Sequence, residues 1–251
     1  MQYGSRFLRH ELKFLITYSD YYALKASLCA LLDHDENSIE DGYTIRSLYF
    51  DDIHDSAYQD KESGIHRRRK HRIRIYNNSD TVIKYEIKDK YGDYISKISA
   101  PITKTECARM INTNFDFMIS SEHPTLRAGY IDARRGLLRP RVIVDYEREA
   151  FVCEEGNVRI TFDKDIRAGI DSFDIFSDDV ITAPAIEPGT LVLEVKYDDF
   201  LPNFIRKVLK KVDKRPMAIS KYVLCRRAKE INFRREIPYE SVFTGGPVHF
   251  Q

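Results

Sequence analysis

The chain has 251 residues, and its 40 Lys and Arg residues almost balance its 39 Asp and Glu residues, which leaves a formal net charge of +1. Although 31% of the residues are charged, this balance excludes a uniformly basic nucleic-acid-binding protein. A hydrophobic fraction of 43% with 12% aromatic residues is ordinary for a globular protein, and the length is ample for a buried core. Disordered and collagen-like proteins are therefore excluded.

Neither a membrane span nor a secretion signal is visible in the sequence. No apolar run approaches the roughly 20 residues that a transmembrane helix needs, and residues 1–13 carry charges where a signal peptide would be hydrophobic. The four cysteines are far apart, without a CxxC pair: Cys29, Cys107, Cys153 and Cys225. We therefore expect a cytoplasmic protein with no membrane span and with reduced, mostly buried thiols.

Hydrophobic periodicity predicts a chain dominated by β-strands, since alternation indicates strands and apolar residues at three- and four-residue steps indicate helices. In chain order we predict strand 7–17, helix 21–32, strands 43–50, 70–76, 82–88 and 94–100, helix 103–111, strands 141–151, 158–163 and 191–197, and helices 202–212 and 220–230. Asp20 is the predicted N-cap of the first helix, and residues 90–93 form a predicted hairpin turn. The predicted fold class is α+β, with about eight antiparallel strands and flanking helices.

The predicted elements form one domain over residues 1–230. After Glu230 the periodic pattern weakens through Pro238, Gly245, Gly246 and Pro247. Residues 231–251 are therefore predicted to be a C-terminal arm with no core of its own.

One face of the predicted strands is densely charged, because successive side chains of a strand point to opposite faces. The charged face carries Glu11, Lys13, Arg72, Arg74, Lys84, Glu86, Lys88, Arg159, Thr161, Asp163, Glu194 and Lys196. The apolar face includes Leu12, Phe14, Ile73, Ile75, Ile83, Tyr85, Ile87, Ile160, Phe162, Val192 and Val195, with Leu193 assigned to the charged side. Asp145 and Asp163 are interpreted as hydrogen-bond partners of the arginines.

Two arrangements explain this pattern. In the first, helices cover the apolar face of an antiparallel sheet and water covers the charged face, which is common. In the second, the strands form a closed barrel whose interior is lined with cations. The second is favoured because the charged positions are nearly all Arg, Lys or Glu rather than Ser, Thr, Asn or Gln, and because the motif recurs on at least five strands.

A cation-lined interior needs an anionic ligand, because unpaired buried charges cost several kcal/mol each. Phosphate chains meet this need, since Arg binds phosphate oxygens bidentately, Lys adds point charges, and carboxylates can hold a divalent metal that bridges phosphates. Glu11, Glu86 and Glu194 are the candidate metal ligands. The sequence contains neither GxxxxGK[ST] nor GxGxxG, which agrees with phosphate binding by side chains.

At these residues the sequence resembles the VTC domain of polyphosphate polymerases, a branch of the triphosphate tunnel metalloenzymes (the CYTH superfamily), in its free-standing prokaryotic form. The matching motifs are RHELKFLI (9–16), SLYFDD (47–52), RIRIY (72–76), EIK (86–88), SKIS (96–99), YEREAF (146–151), VRITFD (158–163), LEVKY (193–197) and SKY (220–222). The resemblance spans roughly residues 6–226, and the order of the last four motifs resembles the VTC branch in particular.

The resemblance implies an ATP-dependent polyphosphate polymerase that transfers the terminal phosphate of ATP to a growing polyphosphate chain. It implies catalytic roles for Lys13, Arg72, Arg74, Lys88, Glu194 and Lys196. It implies phosphate binding by Lys97, Arg148, Arg159, Ser220 and Lys221. Mg²⁺ or Mn²⁺ would be held mainly by Glu194, with Glu11 and Glu86 as further candidates. A tunnel triphosphatase or polyphosphate hydrolase, and a non-catalytic polyphosphate-binding module, remain alternatives, and protein partners are left open.

The basic run HRRRKHRIR at residues 66–74 is the feature most typical of nucleic-acid binding. Only Tyr76 adjoins it among aromatic residues and the net charge is near zero, so we expect no nucleic-acid partner. Residues 67–69 are interpreted as a solvated entry to the strand. The histidines show no metal-ligand spacing and are predicted to be surface or capping residues: His10, His34, His54, His71 and His123.

Overall fold

The structure is a computed structural model that describes residues 2–3, 6–7, 9–36, 38, 42–92 and 94–236. Within these residues the strands are β1 (Gln2–Tyr3), β2 (Arg6–Phe7), β3 (His10–Thr17), β4 (Asp33–His34), β5 (Tyr43–Asp51), β6 (Arg67–Tyr76), β7 (Ser79–Tyr91), β8 (Tyr94–Pro101), β9 (Arg139–Cys153), β10 (Val158–Gly169), β11 (Thr182–Pro184) and β12 (Thr190–Tyr197). The α-helices are α1 (Tyr18–Cys29), α2 (Ser56–Glu62), α3 (Lys104–Ile111), α4 (Pro124–Gly136), α5 (Asn203–Leu209) and α6 (Lys221–Glu236).

Eight long strands form one antiparallel sheet in the order β3-β12-β10-β9-β5-β6-β7-β8. All eight correspond to predicted strands, so the predicted α+β class with an antiparallel sheet is confirmed. The short strand β4 pairs with β9, β11 pairs with β10, and β1 and β2 form a separate two-stranded ladder. The predicted hairpin turn is also present, since β7 and β8 pair from Tyr91 and Tyr94 onward on either side of Gly92.

The sheet curls until strands from its two ends face each other. β3 is the first strand of the order and β7 the seventh, yet Lys88 Nζ of β7 lies 3.5 Å from Glu11 Oε1 of β3. Among the described residues no backbone ladder joins β3 to β8, so the predicted closed barrel is a curled sheet whose ends meet through side chains. The tunnel-like interior follows from this curvature.

The apolar face points outward and is covered by helices. One buried cluster packs Ile73, Ile75 and Ile87 of the sheet against residues of α3 and α4, including Met110 and Leu126. A second cluster packs residues of β3, β10 and β12 against α1 and α5. The charged face therefore points inward, as the barrel interpretation predicts.

One face assignment in β12 was wrong. Leu193 lies in the outer cluster with Val195, whereas Val192 shares the inward face with Glu194 and Lys196. The strict two-residue period of a strand requires this, because positions 192, 194 and 196 have the same parity.

The first helix begins earlier than predicted. Thr17, and not Asp20, is its N-cap: Thr17 Oγ1 accepts a hydrogen bond from Asp20 N at 3.2 Å, and Asp20 Oδ2 accepts one from Thr17 N at 3.0 Å. Asp20 thus completes a capping box from the third helical position. This arrangement ends β3 and begins α1 at adjacent residues.

Helices α2 and α4 and the burial of His71 were not predicted. Asp51 Oδ1 accepts a hydrogen bond from Ala57 N at 2.9 Å, and Asp51 Oδ2 accepts one from Tyr58 N at 3.0 Å, so a strand carboxylate replaces a side-chain cap at the start of α2. His123, by contrast, is the N-cap of α4, as its predicted capping role allows. His71 is not a surface residue: it is buried, and its Nδ1 lies 2.7 Å from Tyr85 Oη.

The predicted boundary at residue 230 falls inside α6, which continues to Glu236. The remainder of the predicted arm, residues 237–251, lies outside the described residues. No helix of the described residues is both long and apolar enough to cross a membrane.

Gly129 sets the distance between α4 and the sheet, which leads to a stability prediction. A Cβ atom at this position would lie 2.5 Å from Tyr85 Oη, so we expect Gly129→Ala to lower the free energy of unfolding by about 1–3 kcal/mol through overpacking. Arg135→Ala, on the exposed side of α4, should change it by less than about 0.5 kcal/mol. Urea unfolding of both variants checks this, and equal midpoints would contradict it.

Candidate functional site

The inward face of the curled sheet encloses a cavity of about 240 Å³. In the described residues, eleven cations line it against two carboxylates, Glu11 and Glu194; the cations are Lys13, Lys61, Arg68, Lys70, Arg72, Arg74, Lys88, Lys90, Arg148, Lys196 and Lys221. Tyr49, Tyr146 and Tyr222 also line the wall. Such an excess of one sign in a concave, partly desolvated space concentrates anions strongly.

The structure brings together ten of the thirteen residues that the sequence analysis selected. The ten that line the cavity are Glu11, Lys13, Arg72, Arg74, Lys88, Arg148, Glu194, Lys196, Ser220 and Lys221. The other three, Glu86, Lys97 and Arg159, lie behind or beside the lining residues. Alternation along the strands therefore predicted which side chains lie on the inward face, but not which of them reach the cavity.

Glu11 and Glu194 lie on the neighbouring strands β3 and β12. The strand register places Glu11 opposite Lys196 and Glu194 opposite Lys13, so the two carboxylates are diagonal neighbours. Although burial disfavours the carboxylate, Lys196 and Lys13 hold the pKa of Glu194 well below its usual range. Although burial favours a neutral amine, Glu194 and Glu11 raise the pKa of Lys13 above its usual range. Both carboxylates are therefore ionised at neutral pH, as metal ligands must be.

Glu11 directs one buried oxygen at three lysines of the cavity wall. Its Oε1 is buried and accepts no hydrogen bond, with the nearest lysine Nζ atoms, those of Lys13, Lys88 and Lys196, 3.4–3.8 Å away. Burial lowers the pKa of Lys88 to about 7 despite the attraction of Glu11. An anion bound beside Lys88 would favour the protonated form of this lysine.

The donor set fits a divalent cation that prefers oxygen ligands. The described residues contain no cluster of three or more His, Cys, Asp or Glu side chains that could enclose a metal by themselves. Two carboxylates would leave most coordination positions to water and phosphate oxygens, which is how Mg²⁺ is usually held at phosphate sites. Glu11 and Glu194 fit this role.

Glu86, the third candidate metal ligand, braces the cations instead of facing the cavity. Arg72 Nη2 lies 2.6 Å from Glu86 Oε2, Lys97 Nζ lies 2.8 Å from Oε1, and Arg74 Nη1 lies 3.8 Å from Oε2. Although burial opposes ionisation, Arg72, Arg74 and Lys97 keep the pKa of Glu86 far below its usual range. The carboxylate therefore fixes the directions of two guanidinium groups that do line the cavity.

A second brace lies on β9 and β10. Arg148 Nε and Nη2 donate to the two oxygens of Asp163 at 2.6 and 2.9 Å, and Lys221 forms an ion pair with the same carboxylate. Arg46 and Asp145 form a similar bidentate pair at 2.9–3.0 Å. The predicted pairing of Asp145 and Asp163 with arginines is thus observed.

Arg159 is directed away from the cavity. Its Nε lies 3.0 Å from Asp35 Oδ2, and its Nη2 donates to Tyr43 Oη at 3.2 Å. Lys97 has a half-exposed side chain that ends on Glu86. Direct phosphate binding by these two residues stays a prediction that the cavity geometry does not favour.

Lys70 is the central lining residue that the sequence analysis did not select. Its Nζ donates to Ser220 Oγ at 2.8 Å, and burial, reinforced by Lys88 and Lys13, lowers the pKa of Lys70 well below its usual range. A signal was present, because residues 68, 70, 72 and 74 share one face of a strand that was predicted to begin at Lys70. Tyr49, Tyr146 and Tyr222 gave no such signal, since tyrosines are common on both faces of a sheet.

The start of α6 closes part of the cavity. Met217 N donates to Lys13 O at 2.7 Å, which fastens the segment before α6 to the edge strand β3. Ser220 Oγ then accepts from Val223 N at 3.4 Å as well as from Lys70. The positive end of the helix dipole and Lys221 therefore face the same cavity as the strand cations.

Comparison of the sequence with known protein families identifies the family of this chain. The VTC domain profile matches residues 8–228, nearly the whole described domain. The chain belongs to the VTC domain family. No curated protein sequence matches it.

Three solved structures resemble this VTC domain to different degrees. A Bacillus halodurans protein provisionally assigned as an adenylate cyclase superposes with a TM-score of 0.52 over 85% of this chain and 95% of its own, at 12% identity. A Vibrio parahaemolyticus protein with the same provisional assignment gives 0.46 over 88% and 98%, at 12% identity. The Mimivirus capping enzyme triphosphatase gives 0.37 over 83% and 88%, at 14% identity. The first similarity shows that the VTC domain has a CYTH-like tunnel fold.

The brace formed by Glu86 leads to a prediction about stability. Glu86→Gln leaves the largely buried Arg72 without its counter-charge, so we expect the free energy of unfolding to fall by about 3–5 kcal/mol. Asp80→Asn removes the partner of Lys104 on the exposed surface and should leave the stability near that of the wild type. Thermal and urea unfolding without added anions would measure the difference, and equal stability of the two variants would argue against the brace.

Proposed function

We propose that this VTC domain is a metal-dependent polyphosphate polymerase that transfers the terminal phosphate of ATP to the end of an inorganic polyphosphate chain. The observation that carries the proposal is the cavity itself, in which eleven Lys and Arg side chains surround two carboxylates. A polyanion of linked phosphates matches this charge distribution better than a single phosphate does. Family membership supports the same chemistry. Since ATP is the donor, the proposal places the activity in the cytoplasm.

The cations would act by positioning and by charge stabilisation. Arg72 and Arg74 are held by Glu86 and by the hydroxyls of Tyr49 and Tyr146, at 2.9 and 3.2 Å, so their guanidinium groups are oriented before a ligand arrives. Preorganised donors of this kind stabilise the charge on a transferring phosphoryl group without reorganising during the reaction.

The transfer itself needs no covalent enzyme intermediate. An oxygen of the terminal phosphate of the acceptor chain attacks the γ-phosphorus of ATP in line, the bond to the β–γ bridging oxygen breaks, and ADP leaves. Lys13, Lys196 and Arg148 line the cavity from adjacent strands and would hold the two reacting phosphates in contact.

Glu194 and Glu11 would hold the metal, Mg²⁺ or Mn²⁺. A bound divalent cation neutralises charge on the phosphates and fixes their oxygens. The residues fit this role because both carboxylates are ionised and buried against the cavity, and because Glu11 Oε1 accepts no hydrogen bond.

A binding experiment tests the tunnel assignment. Arg74→Ala should weaken binding of ATP and polyphosphate roughly hundredfold or more, because it removes a buried, preoriented guanidinium from the cavity wall. Arg67→Ala, on the exposed face of the same strand, should bind both ligands like the wild type. Calorimetric titration of folded variants measures this, and wild-type affinity in Arg74→Ala would refute the assignment.

A second experiment tests the role of Glu194. Glu194→Gln should retain binding of phosphate chains, since it removes a negative charge from the cavity, but should lose turnover by roughly a hundredfold or more because a metal ligand is gone. Chelation of the divalent metal should inhibit the wild type to a similar extent. Normal turnover by Glu194→Gln would contradict this role and would indicate that Glu11 holds the metal instead.

The reaction products distinguish the three candidate functions. Protein is incubated with γ-labelled ATP and Mg²⁺ or Mn²⁺, with and without a short polyphosphate primer, and the products are separated on a gel. A labelled ladder that a polyphosphatase digests supports the polymerase. Label found only in free phosphate would show that the protein is a hydrolase and not a polymerase. Tight binding of polyphosphate without any turnover would show that it is a binding module.

A further inference from the structure

The solvent-facing side of α1 carries no charge. Its exposed residues are Ser19, Tyr22, Ala23, Ala26 and Cys29. The two charged residues of α1 are engaged elsewhere, because Asp20 completes the capping box and Lys25 Nζ lies 2.8 Å from Oε1 of the buried Glu149. The other side of α1 packs into the hydrophobic core, so the helix has no charged face in either direction.

A helix of this composition is typical of a position that is covered on both sides. In the structure, however, Tyr22 is 64% exposed, and Leu31, two positions after the helix ends, is 51% exposed. We call these two side chains, together with Ala23, Ala26 and Cys29, the α1 strip. The α1 strip is an uncharged surface that is open to a binding partner.

A dense group of cations lies on α5 and on the segment that follows it. Within residues 206–215 six side chains are cationic and one, that of Asp213, is acidic. The six cations are all exposed, and we call them the α5 cation group: Arg206, Lys207, Lys210, Lys211, Lys214 and Arg215. None of the six lines the cavity, so the group is separate from the interior of the curled sheet.

The α5 cation group lies beside the α1 strip. Helix α5 packs against α1 within one buried apolar cluster. Lys211 Nζ donates to Ser27 Oγ of α1 at 2.8 Å. Near the start of α1, hydrogen bonds from Thr17 and, to a smaller extent, the charge of Lys214 lower the pKa of Asp20. The strip and the cations therefore form one continuous surface, the α1–α5 surface.

The α5 cation group has no counter-charge in direct contact. Among the described residues none of its members forms an ion pair with a carboxylate, and Arg206 Nη2 donates instead to Leu201 O at 3.3 Å. Other cations of the outer surface differ, since Arg69 pairs with a carboxylate at 2.6 Å and Lys104 at 3.0 Å. Positive charge that is not offset in this way attracts anionic partners.

An uncharged strip beside unpaired lysines matches the surface of a membrane that contains anionic lipids. Apolar side chains enter the boundary between headgroups and acyl chains, while Lys and Arg attract the anionic headgroups. Four of the six cations are lysines, whereas protein–protein interfaces are depleted in Lys and enriched in Arg. Nucleic-acid phosphates would match the cations but would leave the α1 strip uncovered.

We propose that the α1–α5 surface is a peripheral membrane-binding surface that docks on bilayers containing anionic phospholipids. Tyr22 and Leu31 would enter the headgroup region, and the α5 cation group would lie over the lipid phosphates. Binding is then reversible and sensitive to salt, because it combines a small apolar area with electrostatic attraction. The inference does not depend on the proposed function, since none of these residues lines the cavity.

Vesicle flotation of the full chain tests the proposal. The vesicles consist of phosphatidylcholine alone or of phosphatidylcholine with about one-third phosphatidylglycerol, an anionic lipid, at low and at physiological ionic strength. The charge variant is Lys207→Gln, Lys210→Gln, Lys214→Gln. Its matched control removes three exposed cations from β6 and α4 and so has the same net charge: Arg67→Gln, Arg134→Gln, Arg135→Gln.

An apolar variant, Tyr22→Ser, Leu31→Ser, tests the α1 strip without changing the charge. Both side chains are more than half exposed, so the variant should fold like the wild type. Thermal unfolding of every variant checks this. Light scattering of the protein without vesicles measures its oligomeric state, and a single-stranded oligonucleotide is a second anionic ligand.

We expect the wild type to bind the anionic vesicles at least roughly tenfold more tightly than phosphatidylcholine alone. Each lysine near an anionic membrane contributes about fivefold to the affinity, so the charge variant should bind roughly a hundredfold more weakly and with a shallower salt dependence. The apolar variant should bind roughly fivefold or more weakly with an unchanged salt dependence. The matched control should stay within about threefold of the wild type.

Other results would overturn the proposal. Equal binding of the wild type to neutral and anionic vesicles, or no binding to either, would refute the membrane-binding surface. Equal losses in the charge variant and its matched control would show that only net charge acts. A wild-type dimer that the apolar variant dissociates would assign the strip to a second copy of the chain. Loss of oligonucleotide binding with unchanged vesicle binding would make the cations a nucleic-acid contact.

Discussion

The structure depends on one constraint, which is that many cations must be held close together without a ligand. The protein meets it in two layers. Carboxylates behind the wall, Glu86 and Asp163, pair with Arg72 and Arg148, while Glu11 and Glu194 face the lysines from inside the cavity. Because the guanidinium groups of Arg72, Arg74 and Arg148 are fixed by a buried carboxylate or a tyrosine hydroxyl, they are already oriented toward a phosphate ligand. The carboxylates that offset the repulsion between the cations therefore also orient them for a ligand.

The two-sided sheet makes this arrangement possible. Its outward face is apolar and buried under α1, α3, α4 and α5, while a third hydrophobic cluster lies on the inward face, where Val144 and Val192 pack with Tyr222 of α6. The part of the inward face that α6 leaves uncovered can then carry charge at alternate positions without interrupting the outer clusters. The same alternation means that a one-residue slip in register would exchange the two faces, so the packing of the outer clusters also fixes which side chains meet a ligand.

The sequence predicted the strands, their antiparallel class and most of the inward face, because a period of two is a strong local signal. It did not predict α2, whose N-terminus is satisfied by Asp51 at the end of β5 rather than by the side chain of its own N-cap, Asp55. The roles predicted for Glu86, Lys97 and Arg159 stay predictions: these side chains pair with other residues and do not line the cavity, and parity shows only on which face a side chain lies. Lys70 was overlooked because the predicted strand began there, whereas β6 begins three residues earlier.

The seam between the two ends of the sheet has a topological consequence. In the described residues no backbone ladder joins β3 to β8, and the ends meet through side chains such as Lys88 and Glu11 at 3.5 Å. Parting two side chains breaks no backbone hydrogen bonds, unlike parting two paired strands. β3 is also fastened to the segment before α6, since Met217 N donates to Lys13 O at 2.7 Å. Widening the interior at the seam would therefore cost this backbone hydrogen bond and the ion pairs across the seam, while every strand ladder of the sheet would stay intact.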